Sequence, residues 1–193
     1  WHPVAMLQRE IPHVAHNAAE AVHWVAQIFQ GYTGDWGDFD RGTVQIPELV
    51  QRIAKRTGLA AADVQTVVDG VTRELKPIPE SVALLRELHA AGHELYFLSN
   101  MPAPYADHLQ GSNDFMSCFT DGVFSGRVGH NKPEKAIFEL AAKRFGAAHA
   151  HDLLFLDDHL PNVQAAQGLG WQALQFSNAA QARALLQERA LVG

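Results

Sequence analysis

HDLLFLDDHLPNVQAAQGLGWQAL, residues 151–174, is the stretch on which the fold turns. Leu153-Leu154-Phe155-Leu156 is a short, continuous apolar run, the pattern of a strand buried on both faces, and it ends on two adjacent carboxylates, Asp157 and Asp158. Pro161 then opens a helical pattern in which Val163, Ala166 and Leu169 recur at helix spacing. Gly170 closes that helix, and Trp171 to Leu174 reads as the next strand. The unit is therefore βαβ. It implies a parallel sheet, and in open parallel sheets ligands bind beyond the carboxyl ends of the strands. An acid between strand and helix can also be a simple N-cap, with Asp158 accepting amide hydrogen bonds. Successive strand side chains face opposite ways, so one of Asp157 and Asp158 is expected to touch a ligand and the other to support it.

Towards the amino terminus the alternation of helix and strand continues back to Lys76-Pro77-Ile78-Pro79, where two prolines prevent a helix from continuing. Glu80 to Ala91 predicts an amphipathic helix capped by Gly92, and Glu94 to Leu98 a strand ending in Ser99-Asn100. A helix follows from about Pro104, Cys118 to Thr120 predicts a short strand, and Asp121 to Gly126 a small flap turn. Lys132-Pro133 precedes a helix from Glu134 to Phe145. Ahead of Pro77 there is no strand signal. Ala15 to Phe29 carries Ala18, Val22, Val25 and Phe29 on one face, and Pro47 to Thr57 and Ala61 to Leu75 repeat that periodicity. Between the first two lies Gly31 to Gly42, whose four glycines and three aromatics predict a flexible loop with contact surface. The class is α/β, with a helical segment, residues 4–76, in front of an α/β core, residues 77–193.

Composition narrows the function. A chain of 193 residues is long enough for a sizeable core, and its apolar runs are too short to cross a membrane. A net charge of −6 without a basic block argues against a nucleic-acid partner. One cysteine, Cys118, excludes an internal disulfide framework and fits a cytoplasmic location. The 11 histidines are scattered, with no metal-binding spacing among them.

Three polar signals fall at strand ends or loops of the expected sheet: Ser99-Asn100, Lys132 and Asp157-Asp158. Each alone is commonplace, as a turn, a solvated lysine and a cap. Together they hold what phosphoryl chemistry needs, namely carboxylate oxygen for Mg²⁺, a cation for phosphate, and hydroxyl and amide donors for its oxygens. In this order they resemble the haloacid dehalogenase-like (HAD) hydrolase superfamily. Phe97-Leu98-Ser99-Asn100 is similar to its second motif, Gly129 to Phe138 around Lys132-Pro133 to its third, and Phe155-Leu156-Asp157-Asp158 with Asn162 to its fourth. The resemblance implies a Rossmann-like core, a mobile all-helical cap that includes Phe39-Asp40-Arg41-Gly42, and Mg²⁺-dependent hydrolysis through an aspartyl-phosphate. It assigns Asp158 to the metal, with Asp157 in support. Lys132 would balance charge, and Ser99, Asn100 and Lys132 would bind phosphate.

The superfamily's first motif, an apolar strand followed by Asp-x-Asp, has no match. Asp38-Phe39-Asp40 is a stand-in only in composition, because Gly34-Asp35-Trp36-Gly37 precedes it instead of an apolar strand. Trp1-His2-Pro3 resembles the segment just after that motif, so the nucleophile is expected before Trp1, on a strand between Glu94 to Leu98 and Leu153 to Leu156. The leading reading is a phosphatase of a small phosphorylated metabolite. A 2-haloacid dehalogenase needs no Mg²⁺, and the acidic pair followed by Asn162 speaks against it. A non-catalytic binding module is the third reading, should the chain be complete as it stands. Substrate identity, which cap residues would set, and oligomeric state are not encoded in any legible motif; Trp36 and Phe39 are the candidates for the former.

Overall fold

The computed structural model describes residues 1–192, so the last residue of the expected core, 193, lies outside the described residues. The first part of the chain folds as five helices: α1 (Pro3–Glu10), α2 (Ala18–Phe29), α3 (Gly34–Arg41), α4 (Ile46–Thr57) and α5 (Ala61–Gly70), the last prolonged by a 3₁₀ turn, Val71–Glu74. Local signals start and stop them. Asn17 caps α2 by accepting from the Glu20 amide at 3.0 Å, and Gly58 ends α4 in the left-handed region at φ +77°. Each buries one stripe, including Leu7 of α1, Ile28 and Phe29 of α2, Leu49 and Ile53 of α4, and Val64 and Val67 of α5. At roughly 1.5–3 kcal/mol for each large apolar side chain, that shared burial holds the layer together.

Gly31 to Gly42 is not a loop. A 3₁₀ turn at Gln30–Tyr32 leads into α3, and Trp36 and Phe39 are buried. Glycine and aspartate make a poor helix on propensity alone, which is why the sequence suggests a loop. Packing overrides it: Trp36 meets Phe29 and Phe39 edge-on at 4.4 and 5.7 Å, and Phe39 meets Tyr105 at 5.5 Å.

Beyond Pro77 come α6 (Pro79–Ala90), β1 (Tyr96–Ser99), α7 (Ala103–Ser112), β2 (Asp121–Phe124), α8 (Ser125–Val128) and α9 (Lys135–Arg144). They are followed by β3 (Leu154–Asp157), α10 (Leu160–Gly168), β4 (Gln172–Gln175) and α11 (Ala179–Gln187). Both strand pairs are parallel: β1 runs beside β2 with Ser99 opposite Phe124, and β3 beside β4 with Asp157 opposite Gln175. The fold is thus α/β with a parallel, Rossmann-like sheet. The expected strand Cys118 to Thr120 and flap Asp121 to Gly126 are corrected: the strand lies three residues on, at Asp121–Phe124, where Val123 and Phe124 reach the core. Gly122 is required there, because a Cβ would sit 2.3 Å from the Phe97 ring.

The sheet comes in two halves, and among the described residues no hydrogen-bonded ladder joins β1 to β3. Helix α9 spans them from one side, with Ile137 and Phe138 in a cluster with Val123 of β2 and Phe155 of β3. Leu84 of α6 and Ala182 and Leu186 of α11 form a smaller cluster, against which Leu154 and Leu156 pack.

The helical layer is fastened to the rest at α3. Asn131 Nδ2 donates to Gly37 O at 2.8 Å, and Ser125 Oγ to Asp40 O at 2.5 Å. Arg41 makes a two-pronged pair with Glu134 at 2.8 and 2.5 Å. Gly42 at φ +83° lets the backbones close, since a Cβ there would lie 2.3 Å from Gly126 O. No helix among the described residues is long and apolar enough to cross a membrane.

Candidate active site

A cavity of about 450 Å³ opens between the helical layer and the carboxyl ends of β1 and β3. Ser99, Asn100, Lys132, Asp157 and Asp158 all border it, so the structure brings together all five residues singled out in the sequence. Lys132 stands at the centre. Its Nζ donates to Asp157 Oδ2 at 2.6 Å and to Leu98 O at 2.7 Å, and so bridges the two halves of the sheet. The side chains of Lys132 and Asp157 are only 9% and 6% exposed, so the pair is largely removed from water. An ammonium has three donors, and two are engaged, which leaves one for an anion in the cavity.

Asp157 is saturated. Its second oxygen accepts from the His159 amide and from Asn162 Nδ2, both at 2.9 Å. The cap-like contact at the start of α10 thus belongs to Asp157 and not to Asp158. Asp158 is exposed, its side chain makes no hydrogen bond, and it borders the cavity. Asn100 works on the backbone of Lys132: Nδ2 donates to Lys132 O at 2.9 Å, and Oδ1 accepts from Lys132 N at 2.7 Å. Asn100 thereby positions the lysine with its oxygen and one N–H, and its second N–H is left for an anion. The Ser99 hydroxyl, half-buried, makes no hydrogen bond within the described chain and remains available.

Residues 8–170 match the haloacid dehalogenase-like hydrolase family. The chain belongs to that family. It is 29% identical over 144 residues to a sesquiterpene phosphatase of Aspergillus oryzae, covering 74% of this chain and 72% of that protein. Among solved structures it is similar to a HAD family enzyme of Bacteroides thetaiotaomicron in complex with magnesium and inorganic phosphate, with TM-score 0.63, 20% identity and 80% of each chain covered. It is also similar to the L-2-haloacid dehalogenase of Xanthobacter autotrophicus with chloropropionic acid covalently bound, with TM-score 0.65, 18% identity and 95% and 77% coverage of this chain and that one. At these identities the two structures speak for the fold alone.

The HAD hydrolase has a second set of cavity residues, of which the sequence suggested only Trp36; its other candidate, Phe39, is buried in the core instead. Trp1, Tyr32, Trp36 and Tyr105 form an aromatic wall, with Val71, Leu75 and Met101 beside them. Trp1 Nε1 donates to Tyr32 Oη at 2.7 Å, and Tyr32 stands in the left-handed region at φ +64°. Such backbone is uncommon for a tyrosine and clusters at functional sites. Asp40 of α3 also borders the cavity, 5% exposed. Burial pushes its carboxyl up to about 7. Helical geometry points Asp38 elsewhere, towards Arg52 at 3.2 Å, so Asp38 and Asp40 cannot act as one acid pair.

Proposed function

We propose that this HAD hydrolase is a Mg²⁺-dependent phosphatase of a small, largely apolar phosphomonoester. The single observation that carries the reading is Lys132, pinned between Leu98 O and Asp157 with a free donor facing a cavity that also holds the Ser99 hydroxyl and the Asp158 carboxylate. That is a cation and a hydroxyl for the phosphoryl oxygens beside an acid, free of protein partners, for a hard metal.

The donor chemistry fits Mg²⁺. Asp158 offers a free carboxylate, and Asn162 Oδ1 is a buried oxygen without a hydrogen-bond partner. No group of three acidic, histidine or cysteine side chains gathers among the described residues, which suits an ion that keeps several waters and completes its shell from the substrate's phosphate. Bound there, Mg²⁺ would neutralise charge on the phosphoryl group. The chain's own residues do the rest: Lys132 and Ser99 orient the phosphoryl oxygens, Asn100 and Asp157 fix the lysine, and the aromatic wall receives the organic group. We assign the nucleophile to an aspartate on a strand between β1 and β3, where the sheet is divided. Its carboxylate oxygen would bond to phosphorus as the alcohol leaves, and water would then hydrolyse the phosphoenzyme.

Residues 4–76 act, in this reading, as the cap that closes the cavity, over a core of residues 77–193. The apolar wall and the likeness to a sesquiterpene phosphatase favour an organic group rich in hydrocarbon over a sugar or a nucleotide. The buried, unpaired Cys118 suits a cytoplasmic enzyme. The full-length protein should release phosphate from p-nitrophenyl phosphate with Mg²⁺ and stop when a chelator is added. Metal-independent release of chloride from 2-chloropropionate, with no phosphate release, would overturn the assignment in favour of a dehalogenase.

A further inference from the structure

Asp40 and Asp157 are the two buried carboxylates among the described residues, 5% and 8% exposed, and they differ in one respect. Asp157 has Lys132, Asn162 and the His159 amide as partners, whereas the Asp40 side chain makes no hydrogen bond and no ion pair. Its oxygens are not fully enclosed but open to the cavity, where a molecule that enters must take the place of water as their hydrogen-bond partner.

Asp40 is not needed to dock α3. That helix is held through the Asp40 carbonyl by Ser125, through Gly37 O by Asn131 and through Arg41 by Glu134. The backbone of residue 40 is committed to structure and its side chain is not. The carboxyl borders the same cavity as Ser99, Lys132 and Asp158 but stands on the helical layer, near the rings of Tyr32, Trp36 and Tyr105. Phosphate is excluded as its partner, since a carboxylate repels it and the lysine lies on the strand side.

We propose that Asp40 is a specificity-determining residue whose carboxylate receives a hydrogen-bond donor, a hydroxyl or a protonated amine, carried on the organic part of the phosphomonoester. The inference rests on the phosphatase reading and sharpens it: the substrate is largely hydrocarbon but not wholly so. A substrate entering the cavity displaces water from Asp40 and must replace its hydrogen bonds, and an all-carbon chain leaves the acid unpaired. Sites built around a buried polar group reject analogues that lack its partner far more strongly than apolar pockets reject a missing methylene. For an amine, the neighbouring ring faces add attraction to the cation.

The test uses the full-length protein with Mg²⁺ and three series of substrates from propyl to octyl: plain alkyl phosphates, ω-hydroxyalkyl phosphates and ω-aminoalkyl phosphates. At the best chain length, kcat/KM for a donor-bearing ester should exceed that of its plain counterpart by about tenfold or more. Asp40→Leu should bring that ratio close to one, and Asp40→Asn should keep a preference for hydroxyl while losing one for amine. The series that wins identifies the donor. Plain alkyl phosphates turned over as well as both others at every length would overturn the proposal, as would a ratio unchanged in Asp40→Leu. The wild-type ratios decide the matter even if a variant fails to fold. Turnover of p-nitrophenyl phosphate separates the two readings: hydrolysis without discrimination sinks the role of Asp40 alone, and no hydrolysis sinks the phosphatase assignment with it.

Discussion

Replacing Asp40 with asparagine should stabilise the fold at neutral and alkaline pH and leave it nearly unchanged in acid. Burial raises this carboxyl from 3.8 to about 7, so across that interval the folded chain holds a proton that the unfolded chain has released. Where the native state binds more protons, stability falls as pH rises. The loss begins near the unfolded value, deepens up to the folded one and is complete above it, the reverse of a carboxylate held in an ion pair. At about 1.4 kcal/mol per pKa unit, the interval from 3.8 to about 7 sets a ceiling of about 4 kcal/mol on the effect. Asparagine has the same shape and never ionises, so its advantage should grow from near zero at pH 4 towards that ceiling at pH 8. Urea unfolding followed by the fluorescence of the four tryptophans, at half-unit steps of pH, would measure it. A stability difference that stays constant from pH 4 to pH 8 would refute the reasoning.

Lys132→Met leaves Asp157 buried without its cation and should cost about 3–5 kcal/mol, while abolishing inhibition by phosphate. Phosphate inhibition that survives would make the lysine purely structural. Asp158→Asn should weaken Mg²⁺ binding in a calorimetric titration by about tenfold or more, yet change stability by no more than about 0.5 kcal/mol, because the side chain is exposed and unpaired. Gly42→Ala combines a left-handed φ of +83° with a clash against Gly126 O, and should destabilise by more than about 1 kcal/mol. Limited proteolysis should then cut first at α3.

The strand-end residues were legible because each sits in a contiguous run whose pattern names its place: an apolar strand, then an acid, or a lysine and proline ahead of a helix. The sheet read correctly except at β2, where a glycine and an aspartate at the start of a short strand look like a turn. Asp40 was noticed in the sequence but not placed at the site, for a physical reason. Four glycines and three aspartates across residues 31–42 carry no helical signal, and α3 exists because Trp36 and Phe39 lock onto rings supplied by other helices. Asn100 shows the opposite limit. The sequence placed it at the site, but only the coordinates turn its amide onto the backbone of Lys132.

Residues 131–134 hold two parts of the molecule at once. Asn131 and Glu134 grip α3, while Lys132 between them reaches into the cavity. On the proposed reading, specificity and chemistry share one short piece of backbone. A hybrid enzyme given a foreign helical layer would inherit a lysine that is out of place, unless Gly37 O and Arg41 found equivalents in the graft. Random variation in α3 should likewise surface as altered turnover as often as altered substrate choice. New specificities would then evolve more readily through Trp1, Val71 or Leu75, which line the cavity from outside both this segment and α3.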